Sequence, residues 1–307
     1  MKELWVEKYR PKTVDGYVFR DDDQRAQVME WINSKSIPHI ILSGGPGVGK
    51  TTLAKLLINE LGIIPHDVME LNASRERGID IIRNRVTNFA GTIPFGTFKV
   101  VLLDEADYLT LDAQAVMRGV MEEFADNCRF IFTCNYPNKI IPALHSRSQN
   151  IHIPKLDQLA FTERVATVLI NEGIDLDIDT LDSYVVAAYP DLRKCLNSVQ
   201  QNSIDGVLRK PSERGVDTSD YKLKAVELFK SGKIIEARRV IVENATVSDV
   251  DEMFRWMYDN LTLWSKSQEG QDRAIKAIRD GLVNHALVAD VEINLAATLI
   301  ELTTIED

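Results

Sequence analysis

The segment Gly44-Gly45-Pro46-Gly47-Val48-Gly49-Lys50-Thr51 follows the short apolar run HIILS and leads straight into TLAKLLINEL. This is the spacing GxxxxGK[ST], with a strand before it and a helix after it. Its glycines let successive backbone N–H groups turn inward around a phosphate at the positive end of a helix. Gly45, Pro46, Gly47, Val48, Gly49 and Thr52 are then expected to line a bound nucleotide. Lys50 reaches its β and γ phosphates, and the Thr51 hydroxyl holds Mg²⁺. ATP and Mg²⁺ are the cofactors this loop calls for.

Two further polar groups stand where apolar runs end. Val100 to Leu103 run directly into Asp104 and Glu105, which places two carboxylates at the carboxyl end of a buried strand, where open α/β sheets bind ligands. Asp104 is placed to order Mg²⁺, and Glu105 to orient and polarise an attacking water. The run RFIFTCN delivers Asn135 to the same edge if the strands are neighbours, where it can hold that water or sense a γ-phosphate. Alone, an acidic pair can be a helix cap and an Asn before Tyr136-Pro137 can be a turn residue.

Elements able to position these groups are legible in the pattern. Short β-branched runs alternate with longer amphipathic stretches between about residues 38 and 155, which predicts strands at 39–43, 68–72, 99–104, 129–135 and 150–154 joined by helices. Near-continuous apolar runs suit parallel strands buried on both faces. After Pro154 the strand signal stops. Helices are expected at 157–171, 178–188, 191–204 and from about 220 onward, so the second half reads as all-α. The polar stretch RKPSERGVDTSD at 209–220 is the expected linker between two helical domains.

The 307 residues fit two or three domains at roughly 100 to 200 residues each. With 45% hydrophobic and 27% charged residues, the composition is that of a globular protein and excludes a disordered chain. A net charge of -10 argues against coating nucleic acid over the whole surface, so any DNA contact has to be local. Neither the opening MKELWVEKYR nor any apolar run has the character of a signal or a membrane span, and a cytoplasmic protein without a membrane partner is expected. Cys128, Cys134 and Cys195 lack CxxC spacing, which makes neither disulfides nor structural zinc an expectation.

With Trp5-Val6-Glu7-Lys8-Tyr9-Arg10-Pro11 and ELNASRERGID at 70–80 added to these motifs, the chain resembles the clamp-loader branch of AAA+ ATPases, over most of its length. The resemblance is to replication factor C small subunits and to the large clamp-loader subunit of T4-type bacteriophages, and a phage-encoded chain would be in the host cytoplasm. It implies an α/β fold: a RecA-like AAA+ domain with a parallel sheet (1–154), a small helical lid (155–216) and an all-α collar for oligomerisation (217–307). It also assigns roles. Arg147, in Ser146-Arg147-Ser148, matches an arginine that reaches a neighbouring subunit's γ-phosphate, although Ser148 stands where the family has cysteine. Arg193, in Pro190-Asp191-Leu192-Arg193-Lys194, matches a lid arginine that senses the chain's own nucleotide. Tyr9, Arg10 and Pro11 match the segment beside the adenine.

Arg75, Arg77, Arg83 and Arg85 form a basic cluster after the strand ending at Asn72; in the family this region tracks the DNA backbone by shape, without reading bases. Asn72 or Arg77 is implied as a switch that holds Glu105 away until DNA binds. The partners implied are a sliding clamp, primer-template DNA, copies of the chain, a different small clamp-loader subunit and, indirectly, a DNA polymerase holoenzyme. ATP would close the subunits around an opened clamp, and DNA-stimulated hydrolysis would release it. Competing readings are another AAA+ machine, such as a branch-migration motor or helicase loader, and a ring subunit that binds nucleotide without turnover.

Overall fold

The computed structural model describes residues 3–210, 221–244, 250–285, 287–288 and 290–305. The expected linker lies outside the described residues from 211 onward. The chain divides into a sheet unit, Tyr9–Leu156, and a helical unit, Met1–Lys8 with Asp157–Asp307.

The sheet unit holds five parallel strands in the order β2-β3-β4-β1-β5: β1 Ile40–Ser43, β2 Val68–Asn72, β3 Lys99–Asp104, β4 Cys128–Cys134 and β5 Gln149–His152. Successive side chains on a strand point to opposite faces, and here both faces are apolar. Ile41, Val101, Leu103, Phe130 and Phe132 pack on one side with Ala113, Met117 and Met121 of α5 (Leu111–Glu123). Ile40, Leu42, Val100, Leu102 and Ile131 pack on the other with Val28 and Trp31 of α2 (Asp22–Ser34) and Leu53, Leu56 and Leu57 of α3 (Lys50–Glu60). Two-sided burial explains why the inner strands β1, β3 and β4 read as near-continuous apolar runs, whereas the edge strands β2 (VMELN) and β5 (QNIH) carry exposed polar residues. β2 and β3 have the expected bounds, while the ends of β1, β4 and β5 shift by one or two residues, so that Asn135 lies just beyond β4 and not within it.

The expected helix after β2 is a different structure. Ile81–Val86 form a π-helical turn that runs into the short α4, Thr87–Gly91, with Ile82 and Val86 buried and Arg83 and Arg85 exposed. Apolar spacing cannot separate this wider turn from an ordinary helix over so few residues.

In the helical unit, α1 (Trp5–Lys8) lies against α9 (Leu192–Asn202): the Trp5 N–H donates to Gln200 Oε1 at 2.9 Å, and Gln200 Nε2 donates to the Glu3 carbonyl at 2.8 Å. Aspartates start several of its helices. Asp157, Asp177 and Asp191 accept backbone N–H bonds at the starts of α7 (Gln158–Asn171), α8 (Ile178–Ala188) and α9, satisfying donors that the first turn leaves unpaired. The remaining helices are α10 Tyr221–Lys230, α11 Ile234–Asn244, α12 Val250–Asp259, α13 Gln268–His285 and α14 Val291–Thr303. Indole N–H groups tie them inward: Trp256 Nε1 donates to the Val186 carbonyl and Trp264 Nε1 to the Met257 carbonyl, each at 2.9 Å.

This unit is not purely helical, which corrects the all-α expectation. Ser203–Ile204 and Val207–Leu208 form an antiparallel ribbon, β6 and β7, across Asp205 (φ 53°) and Gly206 (φ 80°). Asp-Gly between Ser203-Ile204 and Val207-Leu208 is a two-residue hairpin signal, and both central residues take the positive φ such a turn requires. No helix among the described residues is long and apolar enough to cross a membrane.

Candidate nucleotide-binding site

At the carboxyl edge of the sheet, β4 stands between β1 and β3 and joins what they carry. The glycine-rich loop leaves β1 at Gly44, whose N–H donates to the Cys134 carbonyl at 3.2 Å. A Cβ on Gly44 would lie 2.2 Å from the Ile153 carbonyl oxygen, so only glycine fits there. Gly49 has φ 97° and forms the N-cap of α3, and the ring of Tyr17 lies against it. Gly45 and Pro46 are exposed, and Gly47, Val48, Thr51 and Thr52 are half-buried along the same edge.

Lys50 is buried, and its ammonium donates to the Gly44 carbonyl at 2.9 Å, the Gly45 carbonyl at 2.6 Å and Asn135 Oδ1 at 2.8 Å. Loop lysine and sensor-strand asparagine therefore meet. The acidic pair is tied in as closely. Thr51 Oγ1 donates to Asp104 Oδ1 at 2.7 Å, and Thr133 Oγ1 donates to the same oxygen at 2.6 Å. The Glu105 N–H donates to Thr133 Oγ1 at 3.0 Å, and Glu105 itself takes a left-handed backbone, φ 57° and ψ 43°. A non-glycine residue held there is strained, and such strain concentrates at functional sites.

These groups fit a magnesium nucleotide. Mg²⁺ commonly takes one or two carboxylates together with substrate phosphates, and a threonine hydroxyl beside an aspartate at a helix start offers that donor set. Cys134, beneath Asn135, is a buried free thiol pushed up to about 12 by burial, which leaves it a packing residue and not a nucleophile.

The remaining expected residues are carried by other elements. Arg147 precedes β5 and so stands at the amino-terminal edge of the sheet, opposite the loop. Its Nε donates to Glu122 Oε1 at 2.8 Å, its Nη2 pairs with the same oxygen, and its Nη1 donates to the Ala143 carbonyl at 2.9 Å. The guanidinium holds Glu122 below the usual carboxylate range. Arg193 is exposed on the first turn of α9, in the helical unit. Tyr9, Arg10 and Pro11 are half-buried where the sheet unit begins. Arg75, Arg77, Arg83 and Arg85 are all exposed, and Arg85 pairs with Glu76, so part of that cluster's charge is compensated. Asn72 accepts the N–H and hydroxyl of Ser74 through Oδ1.

Two residues escaped the sequence reading. Thr133 is a lone hydroxyl in the apolar strand RFIFTC, and that polarity is the signal that could have found it. Gln114, on α5 and 1% exposed, donates through Nε2 to the Leu109 and Lys139 carbonyls and accepts the Ile141 N–H through Oε1. It fastens α5 to the segment between β4 and β5, and nothing in its sequence spacing announces that.

The model of the ATPase family associated with various cellular activities (AAA) matches residues 40–155, the stretch that builds this edge. A replication factor C small subunit from Thermofilum pendens is 36% identical over 99% of this chain and 97% of its own length. Another from Methanococcus vannielii is 35% identical over 91% of this chain and 85% of its own. The chain belongs to the replication factor C small-subunit family. As a replication factor C small-subunit relative with an AAA module, it is an ATPase of the clamp-loader branch expected from its motifs. Among solved structures, a point variant of Thermotoga maritima RuvB aligns over 93% of this chain and 90% of its own with a TM-score of 0.53, at 12% identity. That likeness shows the shared RecA-like fold.

Proposed function

We propose that this chain is the ATPase subunit of a DNA polymerase sliding-clamp loader, in which ATP binding opens the clamp and holds it on primer-template DNA and DNA-stimulated hydrolysis releases the closed clamp. The observation that carries the reading is the split of its phosphate-directed groups between opposite edges of one sheet. Lys50, Thr51, Asp104, Glu105 and Asn135 gather at one edge while Arg147 stands at the other. A guanidinium there suits a neighbour's nucleotide, so the active site is shared between copies of the chain or with a different small subunit.

Thr51 and Asp104 would hold Mg²⁺, which when bound would supply positive charge against that developing on the phosphates. Amides from Gly45 to Thr52 grip the phosphates, and Lys50 exchanges a loop carbonyl for a phosphate oxygen. Glu105 orients and deprotonates the water, with Asn135 beside the γ-phosphate. Arg147 of one subunit stabilises charge on the γ-phosphoryl group of the next, a task that suits a planar fork of donors. Arg193 senses nucleotide from a lid, residues 155–216, while a collar, 217–307, holds subunits together. Tyr9, Arg10 and Pro11 flank the base. Arg75, Arg77, Arg83 and Arg85 follow the DNA backbone, and Asn72 or Arg77 relays that contact to Glu105.

Steady-state ATPase of the assembled complex tests this. Primer-template DNA together with a sliding clamp is expected to raise turnover at least about tenfold, a change of roughly 1.4 kcal/mol in barrier. Turnover indifferent to both would remove the clamp-loading assignment while leaving the ATPase intact.

A further inference from the structure

We propose that Thr133 is the positioning residue that holds both carboxylates of the acidic pair in working geometry. This deepens the preceding reading and rests on its assignment of Asp104 to the metal and Glu105 to the water. Thr133 is 1% exposed in the central strand of the sheet, so its hydroxyl has a single fixed surrounding. That one oxygen serves two neighbours: it donates its proton to Asp104 Oδ1 at 2.6 Å and accepts the Glu105 N–H at 3.0 Å.

Consequences follow for each carboxylate. Asp104 Oδ1 accepts from Thr133 and from Thr51 at once, which occupies both lone pairs of that oxygen and fixes the plane of the carboxylate. Oδ2 takes no hydrogen bond from the described residues and is the atom left for a metal or its waters. Glu105 is the only residue of the pair with a strained backbone, at φ 57°, and its N–H is anchored by the same hydroxyl. Without that acceptor the backbone can relax toward the ordinary right-handed region, which swings the Glu105 side chain away from the edge. A hydroxyl is required because the site needs a donor and an acceptor on one small atom; an apolar residue of the same shape supplies neither. Misplacement by about 1 Å is enough to cost roughly a hundredfold in rate.

The test compares Thr133→Val, which keeps the shape, with Thr133→Ser, which keeps the hydroxyl, in the full chain within its assembled ATPase. Thr133→Val is expected to lower kcat at least about thirtyfold with KM for ATP changed less than about threefold, the signature of an interaction made in the transition state. In fluorescent-ADP binding titrated with Mg²⁺, a readout independent of turnover, it is expected to raise the half-saturating Mg²⁺ about tenfold, in line with loss of a group that orients a metal ligand. Thr133→Ser restores both to within about threefold. If valine prevents folding, Thr133→Cys, a weak donor of similar size, carries the same expectation. Wild-type kcat and Mg²⁺ dependence in Thr133→Val, or serine as impaired as valine, would overturn the proposal. Glu105→Gln reads the underlying assignment separately: full turnover by that variant removes the role of Glu105, whereas its loss of turnover beside a normal Thr133→Val removes only the role of Thr133.

Discussion

Arg147 and Lys50 sit on opposite edges of one parallel sheet. Ile40 pairs with Gln149 in register, so the residue just ahead of β5 lies level with the start of β1, while Lys50 sits beyond the end of β1. A strand of four residues spans about 13 Å at roughly 3.3 Å per residue, and the loops add to that distance. Lys50 is held at one edge by the Gly44 and Gly45 carbonyls and Arg147 at the other by Glu122 and the Ala143 carbonyl, so the two do not meet within the chain.

Assemblies built from Lys50→Ala and Arg147→Ala chains are therefore expected to be poisoned in a dose-dependent way. On the proposed shared site, each Arg147→Ala chain would silence its neighbour, since an arginine supplied in trans is worth about 10³ to 10⁵ in turnover. ATPase measured across mixing ratios checks this; activities that simply add would separate the two residues into unrelated sites.

Glu105→Gln is expected to retain ATP binding while kcat falls about 10²- to 10⁴-fold, because an amide keeps the shape and loses the base. Nucleotide affinity by fluorescence and turnover by phosphate release measure the two halves. A parallel loss of affinity would mean that Glu105 holds the loop instead of the water.

Gln114→Ala removes three hydrogen bonds at a site 1% exposed and leaves the Leu109 and Lys139 carbonyls and the Ile141 N–H without their partner. A stranded buried group costs about 1 to 3 kcal/mol, and since only the Leu109 bond is fully buried while the other two are part-buried, a total loss on the order of 2 kcal/mol is expected in denaturant unfolding. Since α5 then loosens from the segment that leads to Arg147, turnover in the assembly should fall as well. A midpoint unchanged in urea would show that solvent replaces the glutamine.

His39 carries a pH signature. Burial first, then the Arg129 guanidinium, lower its pKa from 6.5 to about 4, and its Nδ1 accepts the Phe130 N–H as a neutral ring does. The unfolded chain takes up this proton below about pH 6.5 while the folded chain resists until about 4, so stability is lost as pH falls through that window. Discounted for the ring's partial exposure, the loss is on the order of 1 to 2 kcal/mol. His39→Gln should flatten that part of the melting-temperature curve relative to the wild type. An identical slope from pH 6.5 to 4 in both proteins would put the sensitivity on other groups.

Local chemistry made much of this protein legible in its sequence. Glycine spacing around Lys50 and Thr51 could be read because a phosphate loop needs backbone conformations that few other residues adopt. Asp104 and Glu105 could be read because carboxylates at the end of an apolar run must face the sheet's edge. The inner strands β1, β3 and β4 showed as apolar runs because both faces of the sheet are covered there. The π-helical turn at Ile81–Val86 did not show, since its apolar spacing over six residues is also that of an ordinary helix.

Pairing order was decided only in three dimensions. Which strand separates β1 from β3 depends on how helices pack across the sheet, and that order is what brings Lys50 to Asn135 and Thr133 to Asp104 and Glu105. Arg147's place at the far edge follows from the parallel register of β5 with β1, a long-range pairing that no local pattern encodes. Residue types thus fixed the chemistry available, while the non-local hydrogen bonds of the sheet decided which groups share one edge and which stand at the other.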